Sequence, residues 1–304
     1  MSEHILIIRP GAVGDTLLTF PLLRALKTRN EPMHITFVGN PAVLPLAEKF
    51  ELADSIFDYG ALEWSELFSQ SGIHSPFLQH IIQHTDRAIC WMRDPDGSIE
   101  RNIRVAGVAR ILVTSGRPPE GREIHIVTYL AQTLGMTLSE QEQAQPFASI
   151  PAINTHGVAI HPGSGGTSKC WPITHFADII KALWQHSIPV LLLAGPADTE
   201  RLSTLMNTIP PPSTPSLLKL VVNAPLIEVA EHLQQFKVYL GNDSGITHLA
   251  ALLGLSTIAL FGPSNPTVWK PIGPKVRVIH ESSLERISVK AVLHTLMMAV
   301  NEKM

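Results

Sequence analysis

The chain has 304 residues, 45% apolar and 16% charged, with 23 Lys+Arg against 26 Asp+Glu and a net charge of −3. This length suits two domains with separate cores, and this composition excludes a disordered chain. The charge argues against a general nucleic-acid binder. The only cysteines, Cys90 and Cys170, make a disulfide framework unexpected and suit a reducing cytoplasm.

The first residues enter an apolar run at once, with no basic stretch before it, so no signal peptide is expected. No apolar run reaches the ~20 residues of a membrane span. His4–Ile8 reads as a strand ended by Arg9-Pro10-Gly11. A helical pattern follows, with Leu18, Leu22, Ala25 and Leu26 on one face and Pro21 as a kink. His34–Val38, Ala88–Trp91 and Ile111–Val113 read as further strands. Helical patterns lie near Ala42–Leu52, Phe77–His84 and Glu123–Leu134. Residues 139–156, rich in Gln, Pro, Ala and Ser, read as an interdomain linker. The alternation then restarts. Strands are expected at Val158–His161, Val190–Ala194, Leu220–Val222, Val238–Leu240, Thr257–Phe261 and Val276–Ile279. Helices are expected near Thr174–His186, Asp198–Asn207, Leu226–Gln235, Gly245–Leu253 and Ile287–Val300. The fold class is therefore α/β, two doubly wound parallel-sheet domains in tandem with a cleft between them.

Two loops carry the strongest chemical signal. His161-Pro162-Gly163-Ser164-Gly165-Gly166-Thr167-Ser168-Lys169 follows one strand, and Gly241-Asn242-Asp243-Ser244-Gly245 follows another. In a parallel α/β sheet an anionic ligand sits at such places, outside the carboxyl ends of strands and against helix N-termini. Glycines let the backbone approach phosphate, the Ser164, Thr167 and Ser168 hydroxyls donate, and Lys169 supplies charge. Asp243 can accept from sugar hydroxyls, while Ser244, Gly245 and His248 open the following helix. The plainer alternatives are a surface connection for the first loop and, in the second, an N-cap with a packed histidine.

The half from residue 151 onward carries 11 basic against 9 acidic residues, the first half 12 against 17, so the basic excess lies with these loops. Asp198 and Glu200 lie where a carboxylate can hold ribose hydroxyls or simply favour a helix start. Asp15, in Arg9-Pro10-Gly11-Ala12-Val13-Gly14-Asp15, reads as a helix N-cap or as a general base with Arg9 orienting it or facing an acidic substrate. Asp94-Pro95-Asp96 has a spacing that can bind a divalent cation, but the flanking Pro and Gly favour a turn. The seven arginines from Arg87 to Arg122 read mainly as a solvated charged surface, or else face an anionic acceptor. The histidines show no metal-ligand spacing.

Taken in order, the motifs resemble those of glycosyltransferase family 9, the ADP-heptose:lipopolysaccharide heptosyltransferase family. They are Arg9…Gly14-Asp15…Pro21, His161-Pro162-Gly163-Ser164…Lys169-Cys170-Trp171-Pro172, Gly241-Asn242-Asp243-Ser244-Gly245…His248-Leu249-Ala250-Ala251, and Ala259-Leu260-Phe261-Gly262-Pro263-Ser264. The resemblance implies a GT-B architecture. Residues 1–145 would be an acceptor domain and 146–304 a nucleotide-sugar domain, with the last helix packing back on the first.

The resemblance further implies an inverting, metal-independent transfer of heptose from ADP-heptose to a cell-envelope saccharide such as lipopolysaccharide core. It would take place in the cytoplasm, with peripheral inner-membrane contact. It implies no cofactor, the nucleotide sugar being a substrate. By position it assigns Asp15 as catalytic base and Ser164 and Lys169 to the diphosphate. Glu200 falls to the ribose, Ala224 to the adenine, and Asp243 to the sugar, with Ser244, Gly245 and His248 about the phosphates. One departure bears on the acceptor: Asp54–Ser71 holds no Lys or Arg, where inner-core enzymes of the family use basic residues. A non-catalytic nucleotide-sugar-binding protein on the same scaffold is the alternative. A nicotinamide-dependent oxidoreductase is disfavoured by the missing G-x-G-x-x-G.

Overall fold

The structure, a computed structural model, describes residues 2–29, 32–148 and 155–302. The chain divides into two compact units, Met1–Glu142 and Gln143–Met304. The first holds β1 (Glu3–Ile8), α1 (Val13–Leu17), α2 (Phe20–Arg29), β2 (Met33–Gly39), α3 (Leu44–Lys49), β3 (Ser55–Asp58), α4 (Pro76–Gln83), β4 (Arg87–Trp91), α5 (Ser98–Val105), β5 (Arg110–Thr114), α6 (Ile126–Thr133) and the start of α7 (Glu140–Ala144). Its sheet is parallel, in the order β3-β2-β1-β4-β5. β1 is buried from Ile5 to Ile8, the continuous apolar run of a strand covered on both faces.

The second unit holds β6 (Thr155–His161), α8 (Ile173–Gln185), β7 (Val190–Ala194), α9 (Thr199–Thr208), β8 (Leu218–Val222), α10 (Leu226–Leu233), β9 (Phe236–Asn242), α11 (Gly245–Leu252), β10 (Ser256–Phe261), α12 (Pro266–Trp269), β11 (Val276–His280) and α13 (Val289–Asn301). Its sheet is also parallel, in the order β11-β10-β9-β6-β7-β8. Both orders run outward from a first strand and then reverse, which makes each unit doubly wound. The reversal falls between β1 and β4 in the first unit and between β6 and β9 in the second.

Several expectations change. The helix kinked at Pro21 is two helices, α1 and α2, separated at Leu18–Thr19. Pro21 has no N–H to give the Leu17 carbonyl, and its ring would strike that carbonyl. The Thr19 carbonyl instead accepts from Leu22 and Leu23 at 2.9 and 3.0 Å and starts a new turn. The expected linker contains α7, begun by a capping box. There the Ser139 backbone N–H and Oγ donate to Glu142 Oε2 at 2.8 and 2.7 Å, and Glu142 N donates to Ser139 Oγ at 3.2 Å. Residues 149–154 of that stretch lie outside the described residues. The closing helix α13 enters the core of the second unit. Its Val292, Leu296 and Ala299 are fully buried there with Val158 and Ile160 of β6 and Val238 and Leu240 of β9. This is the apolar stripe of an amphipathic helix meeting the sheet it follows.

Among the described residues, no helix is long and apolar enough to cross a membrane.

Candidate active site

In the second unit, β6 and β9 lie side by side with His161 level with Gly241. The two predicted ligand loops therefore leave neighbouring strand ends at the point where strand order reverses. Crossovers depart to opposite faces there and open a crevice at the carboxyl edge. Asn242, fully buried, ties the loops together. Its Nδ2 donates to the Pro162 and Gly163 carbonyls at 2.8 and 3.2 Å, and its Oδ1 accepts from Trp171 N at 3.0 Å. Trp171 fixes the far end of the loop by donating from Nε1 to Ile287 O at 3.0 Å. Arg201, on α9, braces the same loop by donating to the carbonyls of Trp171 (2.7 Å) and Pro162 (3.3 Å).

The candidate ligand groups converge on Asp243. Lys169 Nζ meets Asp243 Oδ2 at 2.8 Å. Ser164 Oγ donates to the Asp243 carbonyl at 2.6 Å. His248 Nε2 lies 4.0 Å from Asp243 Oδ1. Lys169, expected to be directed at an anion, is in this state paired with a carboxylate. Ser244 caps α11, its Oγ accepting from Thr247 N at 3.4 Å, as the plainer reading has it. The cap does not close the helix N-terminus to a ligand, because first-turn amides of a helix lack intrahelical partners. Buried Tyr239 and Thr247 back this turn, their hydroxyls 3.0 Å apart.

Behind the first loop His161 Nε2 and Asp198 Oδ2 lie 3.0 Å apart, both buried, and Gly195 N donates to the same oxygen at 2.7 Å. Gly163 is obligatory here, since a Cβ on it would lie 1.8 Å from Asp198 Oδ1. Burial pushes the Asp198 carboxyl up. The hydrogen bond and charge of His161, the Gly195 amide and the Arg201 charge outweigh this, and its pKa ends below the ordinary 3.8. A depressed carboxyl stabilises the fold above its unfolded pKa and loses that contribution as pH falls through the folded one. The stability gap between the wild type and Asp198→Asn is thus expected to be full above about pH 4 and to shrink below it. Denaturant titrations across that range check this, and a gap independent of pH would refute it.

Glu200 opens α9, and its side chain is exposed. Ala224 follows β8, where Asn223 (φ 55°) donates to the Ala194 carbonyl at 2.9 Å. Both positions lie at carboxyl ends of strands β7 and β8, on the β6 side of the reversal.

In the first unit the loop after β1 folds onto Asp15. α1 begins at Val13, so Asp15 is the third helical residue and not the N-cap. Its Oδ2 accepts from Ala12 N at 3.2 Å, and its Oδ1 takes Arg9 Nη2 at 3.2 Å. Arg117 Nη2 stands 3.7 Å from Oδ2. Arg9 is 3% exposed. Burial draws its guanidinium below the ordinary value; the Asp15 charge opposes this and the Arg117 charge adds to it. The guanidinium remains a cation, its unperturbed pKa being so high. Gly116 makes room for it, for a Cβ there would lie 1.8 Å from Arg9 Nη1. Arg9 thus holds the Asp15 carboxylate through Oδ1.

Asp94-Pro95-Asp96 is a helix-capping turn. Asp94 accepts from Ile99 N and Glu100 N at 3.1 and 3.0 Å, and Asp96 accepts from Ser98 Oγ at 2.9 Å. Of the seven arginines, Arg104 pairs with Glu100, Arg110 with Glu3, and Arg122 donates to Gln132. Arg117 is the one at Asp15. Sequence reasoning singled out neither Asn242 nor Arg117. For Asn242 the available signal was a polar residue ending an apolar strand; for Arg117 nothing in local pattern marks it.

The family model for glycosyltransferase family 9 (heptosyltransferase) matches residues 127–292, more than half of the chain. Lipopolysaccharide heptosyltransferase 2 of Escherichia coli (strain K12) is 30% identical over 114 residues, 38% of this chain and 33% of that protein. The chain thus spans about a third of the length of the first relatives it matches. Lipooligosaccharide heptosyltransferase 2 of Campylobacter jejuni is 21% identical over 258 residues, covering 78% and 80% of the two chains. In three dimensions the E. coli ADP-heptose lipopolysaccharide heptosyltransferase II aligns over 99% of this chain and 98% of its own, with TM-score 0.75 and 22% identity. A family 9 glycosyl transferase from Veillonella parvula aligns over the same shares, with TM-score 0.77 and 18% identity. The fold is therefore of the GT-B class expected from the motifs.

Proposed function

The chain belongs to glycosyltransferase family 9 (heptosyltransferase), and from that premise we propose that it transfers heptose, with inversion, from ADP-heptose to a saccharide of the cell envelope such as lipopolysaccharide core. The observation that carries this reading is the pairing of loops at the strand-order reversal of the second unit. One brings Lys169 and hydroxyls, the other the N-terminus of α11. In this reading the diphosphate lies against that helix start and Lys169, with Ser164, Ser244, Gly245 and His248 about it. Asp243 holds sugar hydroxyls, Glu200 the ribose, and Ala224 the adenine through its backbone.

Asp15, held by Arg9, takes the proton of the acceptor hydroxyl as that oxygen attacks the anomeric carbon. The C–O bond to the diphosphate breaks, and the negative charge gathering there is met by helix amides and the ammonium. The step as written assigns no role to a metal ion or cofactor. The partners are the nucleotide sugar and a saccharide or glycolipid acceptor, met in the cytoplasm at the inner face of the inner membrane. The acidic 54–71 segment argues for an acceptor less anionic than the inner core.

Two measurements test the reading. Lys169→Ala is expected to weaken ADP binding by roughly tenfold or more, since a charged hydrogen bond is removed. An unchanged dissociation constant contradicts its role. Turnover is expected to persist in EDTA, and a strict magnesium requirement would overturn the assignment of leaving-group charge to amides and Lys169.

A further inference from the structure

The Lys169–Asp243 ion pair joins two partners of unequal freedom. The Asp243 side chain is 9% exposed and that of Lys169 is 44% exposed. Asp243 is also pinned through its backbone, its N–H donating to Leu260 O at 3.0 Å and its carbonyl accepting from Ser164 Oγ. The lysine is the partner able to move. A diphosphate at the start of α11 competes for the ammonium and draws it from Asp243. The carboxylate then stays enclosed beside a ligand of its own sign, and a charge left in that state weighs against binding. At 4.0 Å from Oδ1, His248 Nε2 is too far to replace the lost hydrogen bond. The hydroxyls of an attached sugar are donors, so they satisfy the carboxylate that the lysine has left. A nucleoside diphosphate alone carries donors only on its ribose and base, which the donor-site reading places at Glu200 and Ala224 and not at Asp243.

We infer that the Lys169–Asp243 pair makes Asp243 a specificity determinant, favouring the intact nucleotide sugar over the nucleoside diphosphate left after transfer. The inference rests on the donor-site reading above. It goes further in giving Asp243 a role against the product as well as toward the sugar. Once the sugar has departed, return of Lys169 to Asp243 favours release of the diphosphate.

Titration calorimetry with ADP and with ADP-heptose, on the full chain and on Asp243→Asn, tests it. The variant keeps the shape and removes the charge. It is expected to bind ADP roughly tenfold more tightly than the wild type does, and ADP-heptose no more tightly. A carboxylate that served only as a sugar contact would leave ADP affinity unchanged, and an ADP affinity equal to or below that of the wild type overturns the inference. In that case the donor site still stands, provided the wild type binds both ligands. A wild type that binds neither removes both readings. Thermal denaturation verifies that the variant is folded. Asp243→Ser, with the same expected direction, replaces it if it is not.

Discussion

Asp15→Asn is expected to lower turnover by about two to four orders of magnitude, the usual contribution of a positioned general base. The substitution preserves size and leaves an oxygen able to accept from Arg9 or Ala12, but it removes the charge and the proton-accepting capacity. ADP affinity is expected to be unchanged, because the groups assigned to the donor all lie in the second unit. The fold should register the change too. Arg9 is buried with its Nη2 on Asp15 Oδ1, and neutralising the carboxylate leaves that cation uncompensated. A loss of about 1–3 kcal/mol is expected. Turnover measured well below the denaturation midpoint separates the two effects. Activity within about tenfold of the wild type would remove Asp15 from the chemistry, since tenfold is only about 1.4 kcal/mol of barrier.

The second large effect is on stability. Asn242→Ala is expected to cost about 3–5 kcal/mol, because it strips three hydrogen bonds from a fully buried position. The Trp171 amide and the Pro162 and Gly163 carbonyls would keep their need for partners in a place where water has little access. Asn242→Asp does no better, since a carboxylate facing two carbonyls repels where the amide donated. Denaturant unfolding of both variants measures this. A loss below about 1 kcal/mol for Asn242→Ala would mean that Trp171, Arg201 and the strand pairing hold the loop unaided. Because Asn242 ties the Lys169 loop to the Asp243 loop, ADP affinity should fall with it.

Much of this arrangement was legible before any coordinates. The buried strands β1, β6, β7 and β10 announce themselves as apolar runs closed by Gly, Pro or polar residues, and strand length limits each to a few residues. The ligand loops were legible for the same reason, being glycine- and hydroxyl-rich breaks at the ends of such runs. β3 was not, because Ser-Ile-Phe-Asp is four residues at a sheet edge and carries too short a pattern to register. α5 escaped because Ile99 and Ile103 are the two apolar side chains it buries, set among Arg, Glu and Asn. The pairing of Lys169 with Asp243, 74 residues apart, follows from the β6–β9 neighbourhood, which local periodicity cannot encode. Arg117 reaches Asp15 by the same kind of tertiary placement, from the loop after β5. Asp15 itself could be read as a cap because Gly-Asp before an apolar pattern fits that role; the structure puts the helix start two residues earlier.

The most direct measurement of the central claim is release of ADP from ADP-heptose by the purified chain, with and without each of a panel of envelope saccharides. The account predicts release that depends on the acceptor, persists in EDTA and is lost in Asp15→Asn. Binding of ADP-heptose with no acceptor-dependent release, across a panel of envelope saccharides, would contradict it and leave a nucleotide-sugar-binding protein in its place.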